Sequence, residues 1–143
     1  MSATFSHLGV CTSNLEKSLA FYTEGLGFEL QNTLENVSAP YDQLLGLPGV
    51  SFSAHYLQCG SLTLELIGFH NSEVMGSQTA EPMNSLGFTH ITLQVDDLEA
   101  MCQKVQEQGG QVLSQTRIDS PYGPVVFCTD PDGTRIELIQ PPA

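Results

Sequence analysis

The chain has 143 residues, 16 of them acidic and 4 basic, giving a formal net charge of −12; 41% are hydrophobic and mean hydropathy is near zero. That length suits one ordinary domain with a buried core, and the acidic balance excludes a nucleic-acid footprint and disfavours anionic membrane surfaces. No apolar run nears the roughly 20 residues of a membrane span, no basic start followed by an apolar segment marks a secretory signal, and Cys11, Cys59, Cys102 and Cys128 form no CxxC pair, so reduced thiols and a cytoplasmic location are expected.

In chain order, hydrophobic periodicity predicts a strand over 5–12 and a helix over 14–25. Ser13 or Asn14 caps that helix, and Gly25/Gly27 ends it. A strand over 27–34 follows, then a loop carrying "NVSAPYDQLLGLPG", then strands over 51–58 and 62–69. A polar linker of about 70–86 leads to a strand over 87–95 and a helix over 97–108. That helix opens at Asp96 or Asp97 and closes at Gly109/Gly110. Strands over 110–117, 123–129 and 134–140 complete the chain.

These elements are two copies of one pattern. "HLGVCTSNLEKSLAFYTEGLGFEL" (7–30) aligns with "HITLQVDDLEAMCQKVQEQGGQVL" (90–113), an offset of 83 that matches His7 with His90. "SLTLELI" (61–67) aligns with "GTRIELI" (133–139), an offset of 72 that matches Glu65 with Glu137. The helical stripe recurs as Leu15, Ser18, Leu19 and Tyr22 against Leu98, Met101, Cys102 and Val105. The expected fold class is therefore α+β: two βαβββ modules, about 5–69 and 87–140, in a single domain spanning 1–143. The smaller second offset places the extra length of module one between its helix and its closing hairpin, and the 36–50 insertion is expected to shape substrate access.

Strand alternation assigns the faces. Leu8/Val10, Ile91/Leu93/Val95, Leu62/Leu64/Leu66 and Ile136/Leu138 form apolar rows for the helices to cover. His7, Glu65, His90 and Glu137 point the other way, onto a polar face. A lone strand histidine or glutamate is usually a solvated residue. The same pair at equivalent positions of both halves is not, and two imidazoles with two carboxylates suit one divalent Zn, Ni, Co, Mn or Fe(II) ion. If the turns at 59–60 and 130–133 hold an even number of residues, Tyr56, Val126 and Cys128 share the face of Glu65 and Glu137 and contact substrate. In that register His55 falls on the opposite face, and His70 is exposed. Of the four cations, Lys17 and Lys104 lie on helices and Arg117 sits before a loop. Arg135 shares a face with Glu137, and either reaches the site, is exposed, or pairs with an acid.

The two repeats, the helix exit "FYTEGLGFEL" and the C-terminal "DPDGTRIELIQP" resemble the vicinal oxygen chelate superfamily of glyoxalases, bleomycin-resistance proteins and extradiol dioxygenases, over nearly the whole chain. The resemblance implies a U-shaped, incompletely closed mixed-sheet barrel with helices outside, built around a divalent metal held by His7, Glu65, His90 and Glu137. It also implies a homodimer, because members often dimerise, and some share each metal site between subunits. A His, Glu, His, Glu set is similar to glyoxalase I. The related epimerases usually carry glutamine in place of Glu65, extradiol dioxygenases omit that position, and antibiotic-sequestering members commonly lose the ligands. The implied activity is that of a metal-dependent lyase, isomerase or epimerase. Its small substrate chelates through vicinal oxygens, and Glu137 or Glu65 moves the proton of an enediolate or enolate. The alternatives are an Fe(II) ring-cleaving dioxygenase and a non-catalytic small-molecule binding protein. Glyoxalase I grips glutathione with an arginine on its first strand, whereas "GVCTSNL" here has no basic residue; a small, neutral or apolar substrate is expected.

Overall fold

The computed structural model describes residues 1–143 and divides them into two compact units. The first comprises Met1–Thr23 and Gly27–Met75; the second comprises Gly76–Ala143 with the short segment Glu24–Leu26. Each unit carries one four-stranded mixed sheet, so the α+β reading with two βαβββ modules holds.

In the first unit, β1 (Leu8–Thr12) leads to α1 (Leu15–Ala20) and a wider π-helical turn over Phe21–Gly25. β2 (Glu29–Val37), α2 (Tyr41–Leu45), β3 (Phe52–Cys59) and β4 (Leu62–Phe69) follow, and the sheet order is β1-β4-β3-β2. Asn14 caps α1 by accepting the Lys17 N–H at 3.0 Å. Phe21, Tyr22, Leu57, Leu64 and Leu66 are essentially inaccessible to solvent. Fully burying one such side chain stabilises by roughly 1.5–3 kcal/mol, so this apolar face is what the sheet is built to cover. α1 lies so close to β4 that a Cβ on Gly68 would sit 3.0 Å from Leu15 Cβ.

The second unit repeats the plan with β5 (Ile91–Gln94), α3 (Leu98–Glu107), β6 (Gln111–Ser120), β7 (Gly123–Thr129) and β8 (Arg135–Ile139), in the order β5-β8-β7-β6. Asp97 caps α3 through the Ala100 N–H. Leu98, Cys102 and Val105 are buried on its inner stripe, above Val126, Cys128, Ile136 and Leu138. The charged face of α3 carries Glu99, which pairs with Arg117 at the surface.

The differences from expectation have local causes. The opening strands begin later than periodicity implies, at Leu8 rather than residue 5 and at Ile91 rather than residue 87. β5 pairs in parallel with β8, and β8 starts at Arg135 after the Asp130–Thr134 turn; residues before Ile91 therefore have no ladder partner. β2 runs on to Val37 through two register shifts, and the 36–50 loop includes the short helix α2.

The turn before β8 follows from "DPDG". The buried Asp130 carboxylate accepts the N–H groups of Asp132 and Thr134, both at 2.9 Å, and Asp130 O accepts the Gly133 N–H. Gly133 has φ +89°, and a Cβ there would lie 2.4 Å from the Gln78 carbonyl oxygen. Gly133→Ala is accordingly expected to destabilise the protein by at least about 2 kcal/mol, read as a lower urea midpoint at unchanged m.

Candidate functional site

Parallel pairing places each histidine beside its glutamate. β1 runs alongside β4 with Gly9 opposite Glu65, and β5 alongside β8 with Thr92 opposite Glu137. Alternation then puts the residue two before Gly9, and the residue two before Thr92, on the carboxylate's face. Those residues are His7 and His90. His7 Nε2 lies 3.0 Å from Glu65 Oε2, and His90 Nε2 lies 4.0 Å from Glu137 Oε2.

The other ring nitrogen of each histidine meets the hydroxyl of the preceding residue. Ser6 Oγ is 2.8 Å from His7 Nδ1, and Thr89 Oγ1 is 2.9 Å from His90 Nδ1. With no ion between them, Nε2–H donates to the carboxylate and the hydroxyl donates to Nδ1; the other tautomer, with Nδ1–H donating to the hydroxyl, is the one that turns the Nε2 lone pair toward an ion. Ser6 and Thr89 are the orienting residues that sequence reasoning missed. Their signal was available, since both bear a hydroxyl and stand at the same offset of 83 as the histidines.

The two carboxylates are held differently. Tyr56 pairs across the ladder with Glu65, and its phenol faces that carboxylate. Burial first and then the Glu65 charge push the Tyr56 phenol above its ordinary range. The Tyr56 ring also packs edge-on to His7, with centroids 5.5 Å apart. Glu137 instead accepts from Thr92 Oγ1 at 3.2 Å, and the ring beside His90 is Phe127, at 5.3 Å. The Glu65 side chain is 13% exposed and Glu137 26%.

Tyr56 thus stands where expected, but Val126 and Cys128 do not. β3 and β4 join through two residues, Gly60 and Ser61, and the register Cys59↔Leu62 carries through to Tyr56↔Glu65. β7 and β8 join through five, Asp130–Thr134, and the register Thr129↔Arg135 carries through to Phe127↔Glu137. The odd count reverses the parity. Val126 pairs with Leu138 and Cys128 with Ile136, both buried on the helix-covered side. Phe127 takes the place foreseen for them.

The remaining histidines are structural. His55 is buried, pairs with Leu66 on the face opposite Glu65, and has Nδ1 2.9 Å from Thr33 Oγ1. The exposed His70 has Nε2 2.7 Å from Ser53 Oγ.

The chain contains no group of three or more His, Cys, Asp or Glu side chains gathered for a metal; each module presents two donors of its own. The donors nonetheless fit one. Two ligands at right angles, each about 2.1 Å from an ion, are separated by about 3 Å. The His7–Glu65 gap has that length, and the His90–Glu137 gap, at 4.0 Å, is about 1 Å wider. Imidazole nitrogen with carboxylate oxygen is a donor set for first-row divalent ions.

A model of the Glyoxalase/Bleomycin resistance protein/Dioxygenase superfamily matches residues 4–138. Lactoylglutathione lyase of Salmonella typhimurium is 30% identical over 135 residues, 94% of this chain and 90% of that protein. A glyoxalase family protein from Bacillus cereus superposes with a TM-score of 0.86 over 100% of this chain and 97% of its own, at 16% identity. The fosfomycin resistance protein FosX of Listeria monocytogenes, complexed with Mn(II) and a dihydroxypropylphosphonic acid, superposes with a TM-score of 0.64 over 99% and 95%, at 15% identity.

Burial pushes the Cys128 thiol up to about 12, with Cys102 and Asp130 adding to the shift. A raised thiol pKa leaves almost no thiolate at pH 8, and the thiolate is the reactive form. Alkylation of the native protein at pH 8, followed by mass mapping, is expected to label the exposed Cys11 and to spare Cys128 until denaturant is added.

Proposed function

The chain belongs to the glyoxalase/bleomycin resistance protein/dioxygenase superfamily, and from that premise we propose that it is a divalent-metal-dependent lyase or isomerase of the glyoxalase I type. Its substrate is small and carries vicinal oxygens, and the reaction passes a proton through an enediolate or enolate. The observation that carries this reading is the twofold recurrence of one arrangement: a histidine with Nε2 against a carboxylate and Nδ1 against a hydroxyl.

His7, Glu65, His90 and Glu137 would hold the ion. When bound, it supplies Lewis-acid polarisation of the substrate oxygens. Both pairs are needed for four protein donors, drawn from one chain or from two copies in a homodimer. Ser6 and Thr89 keep the histidines in the Nδ1–H tautomer. Glu137 acts as the base. It is the more exposed carboxylate, it is farther from its histidine, and a single threonine hydroxyl steadies it. It takes the proton from carbon and returns it to the neighbouring or the same carbon. Glu65, less exposed and 3.0 Å from His7, serves as a fixed ligand. That engagement favours the four-donor enzyme over a ring-cleaving oxygenase, which would leave Glu65 uninvolved.

Protein purified without chelators is expected to carry one divalent ion for each His2Glu2 set by elemental mass spectrometry, and Glu137→Ala and His90→Ala are expected to lose it. No metal in the wild type, even after reloading, would sink the proposal. Iron together with activity that survives Glu65→Gln would transfer the assignment to the oxygenase.

Thr89→Val should weaken metal binding by roughly 10- to 100-fold with the fold intact, because the histidine loses its orienting partner. Competition against a chromogenic chelator measures this, and unchanged affinity would rule out an orienting role for the hydroxyl.

A further inference from the structure

The four cations of this chain are not equivalent. Lys17 and Lys104 lie on α1 and α3, and Arg117 is paired with Glu99. Arg135 alone stands on a sheet face that carries a His–Glu pair. It precedes Glu137 by two residues on β8, so both side chains leave the same side of the strand, about 7 Å apart along it.

Its surroundings are unusual for an arginine in so acidic a chain. No carboxylate lies within ion-pair distance of it; the ion pairs of the protein are His7–Glu65, His90–Glu137 and Arg117–Glu99. The guanidinium is held by neutral groups instead. Nη1 donates to the Thr89 carbonyl at 3.3 Å, and Nη2 donates to the Glu81 carbonyl. The cation lies over the Phe127 ring, 5.7 Å from its centre, and His90 packs against that same ring at 5.3 Å. Two carbonyls and an aromatic face fix the position of the charge without neutralising it. Two of its five N–H groups are spent in this way, which leaves donors for an oxyanion. The neighbouring carboxylate, Glu137, is engaged with Thr92 and faces His90.

We propose that Arg135 is the specificity-determining residue of the second module's site, taking a carboxylate that the substrate carries beyond the two oxygens presented to the His90–Glu137 pair. The substrate class is then a small vicinally oxygenated compound with one carboxylate tail. This rests on the metal-centre reading above, and it amends the expectation of a neutral substrate. One held cation matches one anionic group; the sparse basic inventory offers no partner for several.

The test uses full-length protein loaded with Co(II) and isothermal titration with hydroxamates, which present vicinal oxygens. The probes are the monohydroxamates of succinic and glutaric acid and the monoamides of the same lengths. At one chain length the carboxylate probe is expected to bind the wild type at least tenfold more tightly than its amide, less so in high salt. Arg135→Gln should abolish that difference while leaving amide affinity within about twofold. A purely structural role, clamping Glu81 to the sheet, would weaken both probes alike, and that result would overturn the proposal. So would equal affinities in the wild type at both lengths. If Arg135→Gln does not fold, Arg135→Lys and the wild-type salt dependence decide: a carboxylate preference insensitive to both would overturn it. Failure of all four probes to bind the Co(II)-loaded protein would bring down the metal-centre reading and this assignment with it, an outcome distinct from binding without carboxylate preference.

Discussion

Parallel pairing of the first and last strand of each module is the constraint on which the candidate site depends. The helix crossover carries the chain to the far edge of each sheet, two antiparallel pairings bring it back beside the opening strand, and the parallel ladder formed there sets which side chains are neighbours. Gly9 against Glu65 and Thr92 against Glu137 bring a histidine from just outside one strand to a carboxylate in the middle of the other. The apolar alternates, Leu64 and Leu66 in one sheet and Ile136 and Leu138 in the other, are fully buried under the helices. A one-residue slip would put the glutamates into that core and the leucines into solvent. Burial energy is therefore what holds the polar pairs in place, although they contribute little to it.

The two modules use one scaffold to make two unlike environments. At the first, a tyrosine stands across the ladder from the carboxylate and the imidazole lies 3.0 Å away. At the second, a threonine hydroxyl touches the carboxylate, the gap is 4.0 Å, and the cross-strand aromatic is a phenylalanine with no hydroxyl to offer. Duplicated halves carry a symmetric donor set, and acid–base chemistry needs an asymmetric one, since a base must be freer than a ligand. The exchange of Tyr56 for Phe127 and of Gly9 for Thr92 supplies such an asymmetry while both halves keep the same histidine and glutamate.

Phe127 also links the second pair to the charge nearby. Both His90 and Arg135 pack against its ring, at 5.3 and 5.7 Å between centres, so the imidazole and the guanidinium share one apolar support. The backbone carbonyls of Thr89 and Glu81 complete the arrangement, and Thr89 serves twice, orienting His90 with its hydroxyl and anchoring Arg135 with its carbonyl.

By itself the sequence determined the repeat, the α+β order of elements, each helix start to one of two candidate caps, and the polar strand face on which His7, Glu65, His90 and Glu137 stand. All of these rest on periodicity and short-range chemistry, which are written locally in the chain. Only the tertiary structure decided what depends on counting residues through a turn or on a partner distant in sequence. Tyr56 was legible because its hairpin has a two-residue turn. Val126 and Cys128 were misplaced because the five-residue turn shaped by the Asp130 carboxylate inverts the parity of β7, turning Phe127 toward Glu137. The late start of β5 follows from where β8 begins, whereas β1 starts at Leu8 although β4 already runs from Leu62; no property of residues 5–7 or 87–90 encodes either start. The fate of Arg135 was likewise open: strand alternation gave its face, but the carbonyls of Thr89 and Glu81 that hold it come from segments some 50 residues away.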